Sequence, residues 1–336
     1  MKKLLQTMLM LMLSLICFMS FVSCDQNSSA VTATKAPEST AFPGVDIHVA
    51  TLKGPTGMGM VQLMDKQEKR ETYNNYSFTL ASTPDEIVGK LTSNEINIAA
   101  MPTNLAANLY NKTNGKIKIA AINTLGVLYV LEKGDHIQSV SDLNGKTIGA
   151  TGEGSTPEYI LDYILNGNLV EATVEYKSEH AELVTLAATG KYDAVMLPEP
   201  FVTTLMNQDK DFRIAFNLTD EFDKLAGGGK LAMGCLVVNT EFAENNKNAV
   251  NKFLDEYKAS TEYTNLDPKE ASILVEKYEI MAKAELIEKA IPNCNITYIE
   301  GEPMKTSLQS FYQVLFDSQP KSIGEKMPDD GFYYSR

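Results

Sequence analysis

From Asp46 onward the chain alternates short apolar runs with stretches of helical periodicity. This order of strand, helix and strand predicts parallel sheets covered by helices. The apolar runs that we interpret as strands lie at residues 47–52, 77–80, 96–100 and 117–122, and then at residues 147–150, 174–176 and 194–197. Because the pattern occurs twice, we predict an α/β protein of two lobes, each a doubly wound sheet.

The length agrees with two lobes, because 336 residues suffice for two domains that each have an apolar core. Two further apolar segments, residues 127–131 and 231–238, separate the two halves of the pattern. We predict that they cross between the lobes as a two-strand hinge. Lobe 1 then comprises residues 45–127 together with residues 233–336, and lobe 2 comprises residues 128–232.

The first residues have the pattern of a secretion signal. Met1-Lys2-Lys3 precedes an apolar run over residues 8–22, which is shorter than the roughly 20 residues of a membrane-spanning helix. Ser23-Cys24 follows this run and looks like a lipobox, so we predict removal of residues 1–23 and a lipid on Cys24; cleavage nearby without acylation is the alternative. Residues 24–44, rich in Ser, Thr and Ala, predict a flexible linker to an extracytoplasmic, lipid-anchored body.

Composition and motif searches argue against several classes of function. The 43 acidic and 30 basic side chains give a net charge of -13, the opposite of the basic surface that nucleic acids require. The three histidines, His48, His136 and His180, lack the spacing of metal ligands, and there is no Gly-x-Ser-x-Gly motif. We therefore expect no catalytic site, no metal and no cofactor. Cys235 and Cys294 could form a disulfide after export or remain free and buried.

Ligands of open α/β sheets bind beyond the carboxyl ends of the strands, where loops lead into helix N-termini. This rule selects loops of small and polar residues in both halves of the chain. The candidate ligand-binding residues are Gly54, Thr56, Gly57, Met58, Thr103, Asn104 and Thr124 in lobe 1, and Glu153, Ser155, Thr156 and Glu199 in lobe 2. Taken singly, the glycines also fit turns, Thr156 fits a helix cap and Glu199 fits a solvated loop.

Several segments of the body together resemble one known family. They are residues 49–58, residues 95–103, Ser141-Asp142-Leu143-Asn144-Gly145-Lys146, Tyr192-Asp193-Ala194 and Pro198-Glu199-Pro200-Phe201. With the lipobox and linker, they resemble the solute-binding proteins of nitrate/sulfonate/taurine-type ABC importers, relatives of thiamine-pyrimidine-binding proteins. The resemblance runs from about Asp46 to the C-terminus. It implies a type II periplasmic-binding-protein-like fold without enzymatic activity, which closes on a small molecule and presents it to a membrane permease with its ATPase subunits.

Two other functions remain open. A ligand sensor would use the same clamp with a different membrane partner, and enzymes of pyrimidine or menaquinone biosynthesis share the general fold but are cytoplasmic, which disagrees with a secretion signal. Among the candidate loops Lys53 is the main cation, whereas Glu153 and Glu199 favour an amine or heterocyclic N–H donor. We hypothesise a small planar or zwitterionic organic ligand, such as a sulfonate or a pyrimidine-like heterocycle, bound by a monomer.

Overall fold

Two β-sheets organise the part of the chain that the structure, a computed structural model, describes: residues 42–81, 83–227 and 230–336. The expected secretion signal, Cys24 and nearly all of the expected linker lie outside these residues. Residues 42–336 form a single unit, so the two sheets can be described together.

The larger sheet contains six strands. They are β1 (Asp46–Leu52), β2 (Asn75–Ala81), β3 (Ile98–Pro102), β4 (Ile117–Leu125), β10 (Ala232–Asn239) and β11 (Ile296–Ile299). Their order is β11-β4-β10-β3-β1-β2, with β1 parallel to β2 and β3, and β10 antiparallel to both β3 and β4. The strands β1, β3 and β4 therefore point the same way, and their carboxyl ends share one edge.

The smaller sheet contains five strands. They are β5 (Leu128–Lys133), β6 (Thr147–Thr151), β7 (Thr173–Lys177), β8 (Ala194–Pro198) and β9 (Phe212–Asn217). Their order is β7-β6-β8-β5-β9, and β5 is antiparallel to both of its neighbours while β6 is parallel to β7 and β8. The carboxyl ends of β6, β7, β8 and β9 consequently lie at a common edge.

Helices connect most of these strands. They are α1 (Pro55–Met58), α2 (Val61–Glu68), α3 (Pro84–Thr92), α4 (Thr103–Thr113), α5 (Thr156–Gly167), α6 (His180–Ala188), α7 (Phe201–Gln208), α8 (Leu218–Leu225), α9 (Thr240–Asn245), α10 (Lys247–Leu266), α11 (Pro268–Lys277), α12 (Ala284–Ala290) and α13 (Gly301–Ser318). Short 3-10 helices occur at Val140–Leu143, Ile291–Asn293, Pro320–Ile323 and Asp330–Phe332. None of the described helices has both the length and the apolar character of a membrane span.

Helix starts follow local sequence chemistry. Thr83 precedes α3 with Pro84 at its first position, and its side chain forms a capping box with Glu86. At α5 the N-cap position belongs to Ser155, because Thr156 is already the first helical residue. The alternative interpretation of Thr156 as the cap is therefore wrong.

The chain passes between the sheets twice. Gly126 and Val127 join β4 to β5, and Leu231 leads the chain back into β10. The predicted hinge segments, residues 127–131 and 231–238, lie mostly inside the sheets as β5 and β10. The predicted lobe limits stay a prediction, which the membership of the strands in the two sheets supports.

Apolar side chains cover both faces of each sheet. Along β1, Ile47 and Val49 belong to one buried cluster, whereas Ala50 and Leu52 belong to another, as the two-residue period of a strand requires. The cluster around Ala50 also contains Val130 of β5, so it extends over one face of both sheets. A third cluster covers the other face of the smaller sheet.

Candidate functional site

At the carboxyl edge of the larger sheet, two of the predicted ligand-binding residues, Thr56 and Thr124, contact Asn123. Asn123 is 1% exposed, and its Nδ2 donates to the backbone oxygen of Thr56 at 3.1 Å and to Tyr257 Oη at 3.0 Å. The hydroxyl of Thr124 donates to Asn123 Oδ1 at 3.2 Å. One buried amide therefore holds the end of β4 against the start of α1.

The other predicted residues at this edge differ in accessibility. Gly54 has a φ of 90°, a conformation that favours glycine, and it is half-buried, as Asn104 is. Gly57 and Met58 are buried. Thr103 is also buried, and its hydroxyl donates to the backbone oxygen of Ala232. Gly54, Thr56 and Asn104 are thus the candidates here with surface to offer a ligand.

In the smaller sheet, the loop after β6 is fixed by the first turns of α5. The backbone N–H of Gly154 donates to Glu158 at 2.5 Å, and Tyr159 Oη donates to the oxygen of Gly154 at 2.6 Å. Ser155 donates its hydroxyl to Gly152 at 2.6 Å. Glu153 and Ser155 are exposed, whereas Thr156 is buried.

Glu199 connects the smaller sheet to the larger one. Its carboxylate, 2% exposed, accepts from the N–H of Thr203 at 3.1 Å and from its hydroxyl at 3.0 Å, close to the start of α7. Asn293, which precedes β11, donates to the same carboxylate at 3.3 Å. Burial raises the pKa of Glu199, and these hydrogen bonds oppose the rise. The alternative of a solvated loop acid is therefore wrong.

Further contacts join the two sheets on both sides of the crossing segments. Tyr129 of β5 donates its hydroxyl to the backbone oxygen of Asn293 at 2.7 Å. On the other side, Phe222 of α8 lies edge-on to Phe311 of α13, with ring centroids 6.1 Å apart. The lobes are thus held by polar contacts at Asn293 and by apolar contacts at α13.

A groove of about 830 Å³ lies between α5 and α13. Gly154, from the predicted loop after β6, lines it together with Tyr159, and Gln313 lines the opposite side. The loop of the smaller sheet therefore shares a hollow with α13. Among the residues that the structure describes, no hydrogen bond joins the loop of Ser155 to that of Thr56.

Both cysteines of the body, Cys235 and Cys294, are buried and free, so of the two alternatives the structure has the unpaired one. Burial raises the pKa of both thiols. Within the described ranges, no three His, Cys, Asp or Glu side chains are grouped so that they could hold a metal ion.

Sequence reasoning missed three residues of this region: Asn123, His180 and Asn293. Asn123 lies near the end of β4 and His180 begins the helix that follows β7, so the rule that selected Thr124 could also have found them. His180 was tested only as a metal ligand, although its ring packs on Phe201 with centroids 4.6 Å apart. Asn293 lies in a short 3-10 helix, and nothing in the sequence marks it.

Comparison with protein families matches residues 117–271 to the family described as NMT1/THI5 like. No curated protein matches the chain significantly. A crystal structure of an ABC transporter from Parabacteroides distasonis is 27% identical with a TM-score of 0.73, over 86% of this chain and 99% of that one.

Other solved structures share the fold at lower identity. The periplasmic aliphatic sulphonate binding protein of Escherichia coli is 14% identical with a TM-score of 0.69, over 86% of this chain and 92% of that one. The alkanesulfonate-binding protein of Xanthomonas axonopodis pv. citri is 13% identical with a TM-score of 0.58, over 82% and 93%. These comparisons confirm the predicted resemblance and the periplasmic-binding-protein-like α/β fold.

Proposed function

We propose that this chain is the extracytoplasmic solute-binding component of an ABC importer, which captures a small organic molecule between its two lobes and delivers it to a membrane permease. The observation that carries the proposal is the pair of sheets joined by two crossings, each with polar loops at the carboxyl edge of its strands. The likeness to the Parabacteroides ABC transporter over 86% of the chain supports the same role.

We propose that the ligand contacts come from the accessible candidates of both sheets. Gly54, Thr56 and Asn104 would contact the ligand from lobe 1, and Glu153 and Ser155 from lobe 2. Closure then stabilises the bound form, because a ligand that contacts both lobes binds the closed arrangement more tightly than the open one.

A thermal-shift screen tests the function. We expect at least one compound from a millimolar panel of sulfonates, pyrimidines, vitamins, amines and nitrate to stabilise the protein. Ligand at 100 times its Kd adds about 2.7 kcal/mol of unfolding free energy, which raises the Tm by several degrees. A panel in which no compound changes the Tm would contradict a solute-binding role.

Matched substitutions show whether both lobes take part. We expect Thr56→Val and Ser155→Ala each to weaken binding of the stabilising compound, because each removes a polar group at a different strand edge. Ser141→Ala is the control, since Ser141 is exposed and precedes β6 at the opposite edge of the smaller sheet.

The anchor is a separate proposal, supported by the sequence before residue 42. A lipid on Cys24 would hold the body outside the cell membrane through the linker at residues 24–44. We expect the wild-type protein in the membrane fraction and Cys24→Ala in the soluble fraction. Equal distribution of both proteins between the fractions would argue against acylation at Cys24.

A further inference from the structure

The side chain of His180 lies at the carboxyl edge of the smaller sheet, where it contacts Thr151 and Phe201. His180 begins α6 after a short loop that follows the edge strand β7, and its ring packs on Phe201, which begins α7 after β8. The strand β6 lies between β7 and β8. The ring also lies within hydrogen-bonding distance of Thr151, so the imidazole lies at the carboxyl end of β6 as well.

The last residue of β6 determines which ring nitrogen of His180 carries the proton. Thr151 is 2% exposed, and its Oγ1 lies 2.7 Å from His180 Nδ1. Within the described ranges, this hydroxyl forms no other hydrogen bond. A buried hydroxyl is stabilised by an acceptor for its proton, which favours donation from Thr151 to Nδ1.

The proton of the ring is then on Nε2. Burial lowers the pKa of His180, with the nearby Glu179 acting in the opposite direction, so burial favours the neutral form of the ring. A neutral imidazole that accepts at Nδ1 is a donor at Nε2. In the part of the chain that the structure describes, no acceptor pairs with Nε2, and the ring is only half-buried.

We propose that the Nε2–H group of His180 donates a hydrogen bond to an oxygen atom of the bound small molecule, and thereby selects ligands with an oxygen acceptor at the carboxyl edge of the smaller sheet. The inference rests on the proposed function and adds a named donor to it. Phe201 and Thr151 are positioning residues in this arrangement, because one supports the ring and the other fixes its tautomer.

Nuclear magnetic resonance tests the tautomer without any ligand. The chain has three histidines, so long-range ¹H–¹⁵N spectra of the full-length protein can be assigned with single substitutions. We expect the Nε2–H tautomer at His180 in the wild-type protein and a loss of this preference in Thr151→Val. An Nδ1–H tautomer in the wild-type protein would overturn the proposal.

Calorimetric titration with butanesulfonate and with uracil tests the contact itself, since both probes carry oxygen acceptors. We expect His180→Asn to weaken binding by roughly 3- to 10-fold, because asparagine can replace Nδ1 but not Nε2. Glutamine places its amide nitrogen near the position of Nε2, so His180→Gln should retain most of the affinity. His136→Asn is the control, since the side chain of His136 is 79% exposed after β5.

The outcomes separate the two proposals. If the wild-type protein binds a probe and both His180 variants bind it with the affinity of the wild type, the proposed role of His180 is contradicted and the proposed function stands. If His180→Asn kept its affinity for the probe while His180→Gln lost it, the inference would also be overturned. That result would show that only the hydrogen bond to Thr151 matters. If the wild-type protein binds neither probe, both proposals fail for sulfonates and pyrimidines.

Discussion

Glu199 is a buried carboxylate that bonds to Thr203 within its own lobe and to Asn293 of the other lobe. Because its pKa is raised above the ordinary 4.5, the folded protein holds the proton more tightly than the unfolded chain. The associated stabilisation is complete below the ordinary value and is lost as pH rises through the raised pKa. Ionisation of Glu199 thus makes folding less favourable at neutral pH than in mild acid.

We therefore expect Glu199→Gln to gain stability relative to the wild-type protein as pH rises from about 4 to about 8. The Tm of both proteins over this range measures the difference. Glu153→Gln is the control, because Glu153 is exposed on the neighbouring loop. A difference between Glu199→Gln and the wild type that stays constant with pH would contradict the assigned shift in pKa.

Tyr129→Phe removes the hydrogen bond that the hydroxyl of Tyr129 donates to the backbone oxygen of Asn293. We expect a loss of about 1 kcal/mol in the free energy of unfolding, as for a typical buried hydrogen bond. Urea denaturation measures it. Tyr192→Phe should change stability less, since the hydroxyl of Tyr192 contacts the side chains of Lys191 and Glu175, which are 42% and 41% exposed. Equal effects of the two substitutions would show that the contact to Asn293 stabilises nothing.

The positions of these residues at strand ends could be predicted from the sequence, whereas their contacts could not. The strand-end rule selected Glu199 and Thr124 correctly as edge positions. It could not show that Glu199 bonds across the lobes, because its partner Asn293 is 94 residues away in sequence. Such a pairing depends on how the lobes pack, and local sequence features do not determine that packing.

Gly126 is the residue at which the first crossing segment meets lobe 2. A Cβ atom at this position would lie 2.1 Å from Thr219 Oγ1 and 2.7 Å from Leu231 Cδ2. We expect Gly126→Ala to destabilise the protein by about 1–3 kcal/mol, the usual cost of overpacking. Chemical denaturation gives the value.

A second substitution identifies the cause. Thr219→Ala removes the oxygen that the new methyl group would meet, so the double variant should recover part of the loss. Gly89→Ala is the control, since Gly89 lies in α3 with open space around it, and alanine there should stabilise the helix by about 0.5–1 kcal/mol. Additive effects of the two substitutions would contradict a clash between residues 126 and 219.

Most helices and strands could be predicted from periodicity, and the capping box of Thr83 and Glu86 from local spacing. The central position of the two predicted hinge strands in the sheets could not. Their continuous apolar runs arise because β5 and β10 are each flanked by two strands and buried on both faces, as Val237 and Leu236 are in separate clusters. An apolar run therefore did not distinguish a crossing segment from a central strand.

The two sheets are linked by more than the crossing segments. One apolar cluster extends over a face of both sheets, and α13 adds Phe311 to it beside Phe222 of lobe 2. The two-lobed arrangement itself could be predicted because the strand and helix pattern occurs twice. The packing of α13 on lobe 2 could not, because an apolar helix face does not specify in the sequence which elements it contacts.

Hydrogen exchange read by mass spectrometry, with the most stabilising compound present or absent, tests the proposed clamp most directly. If the ligand binds between the lobes, the amides of residues 53–58 and of residues 152–156 should become protected together. These two segments follow β1 and β6, in different sheets. Protection of only one segment, or of neither, would contradict capture of the ligand between the two lobes.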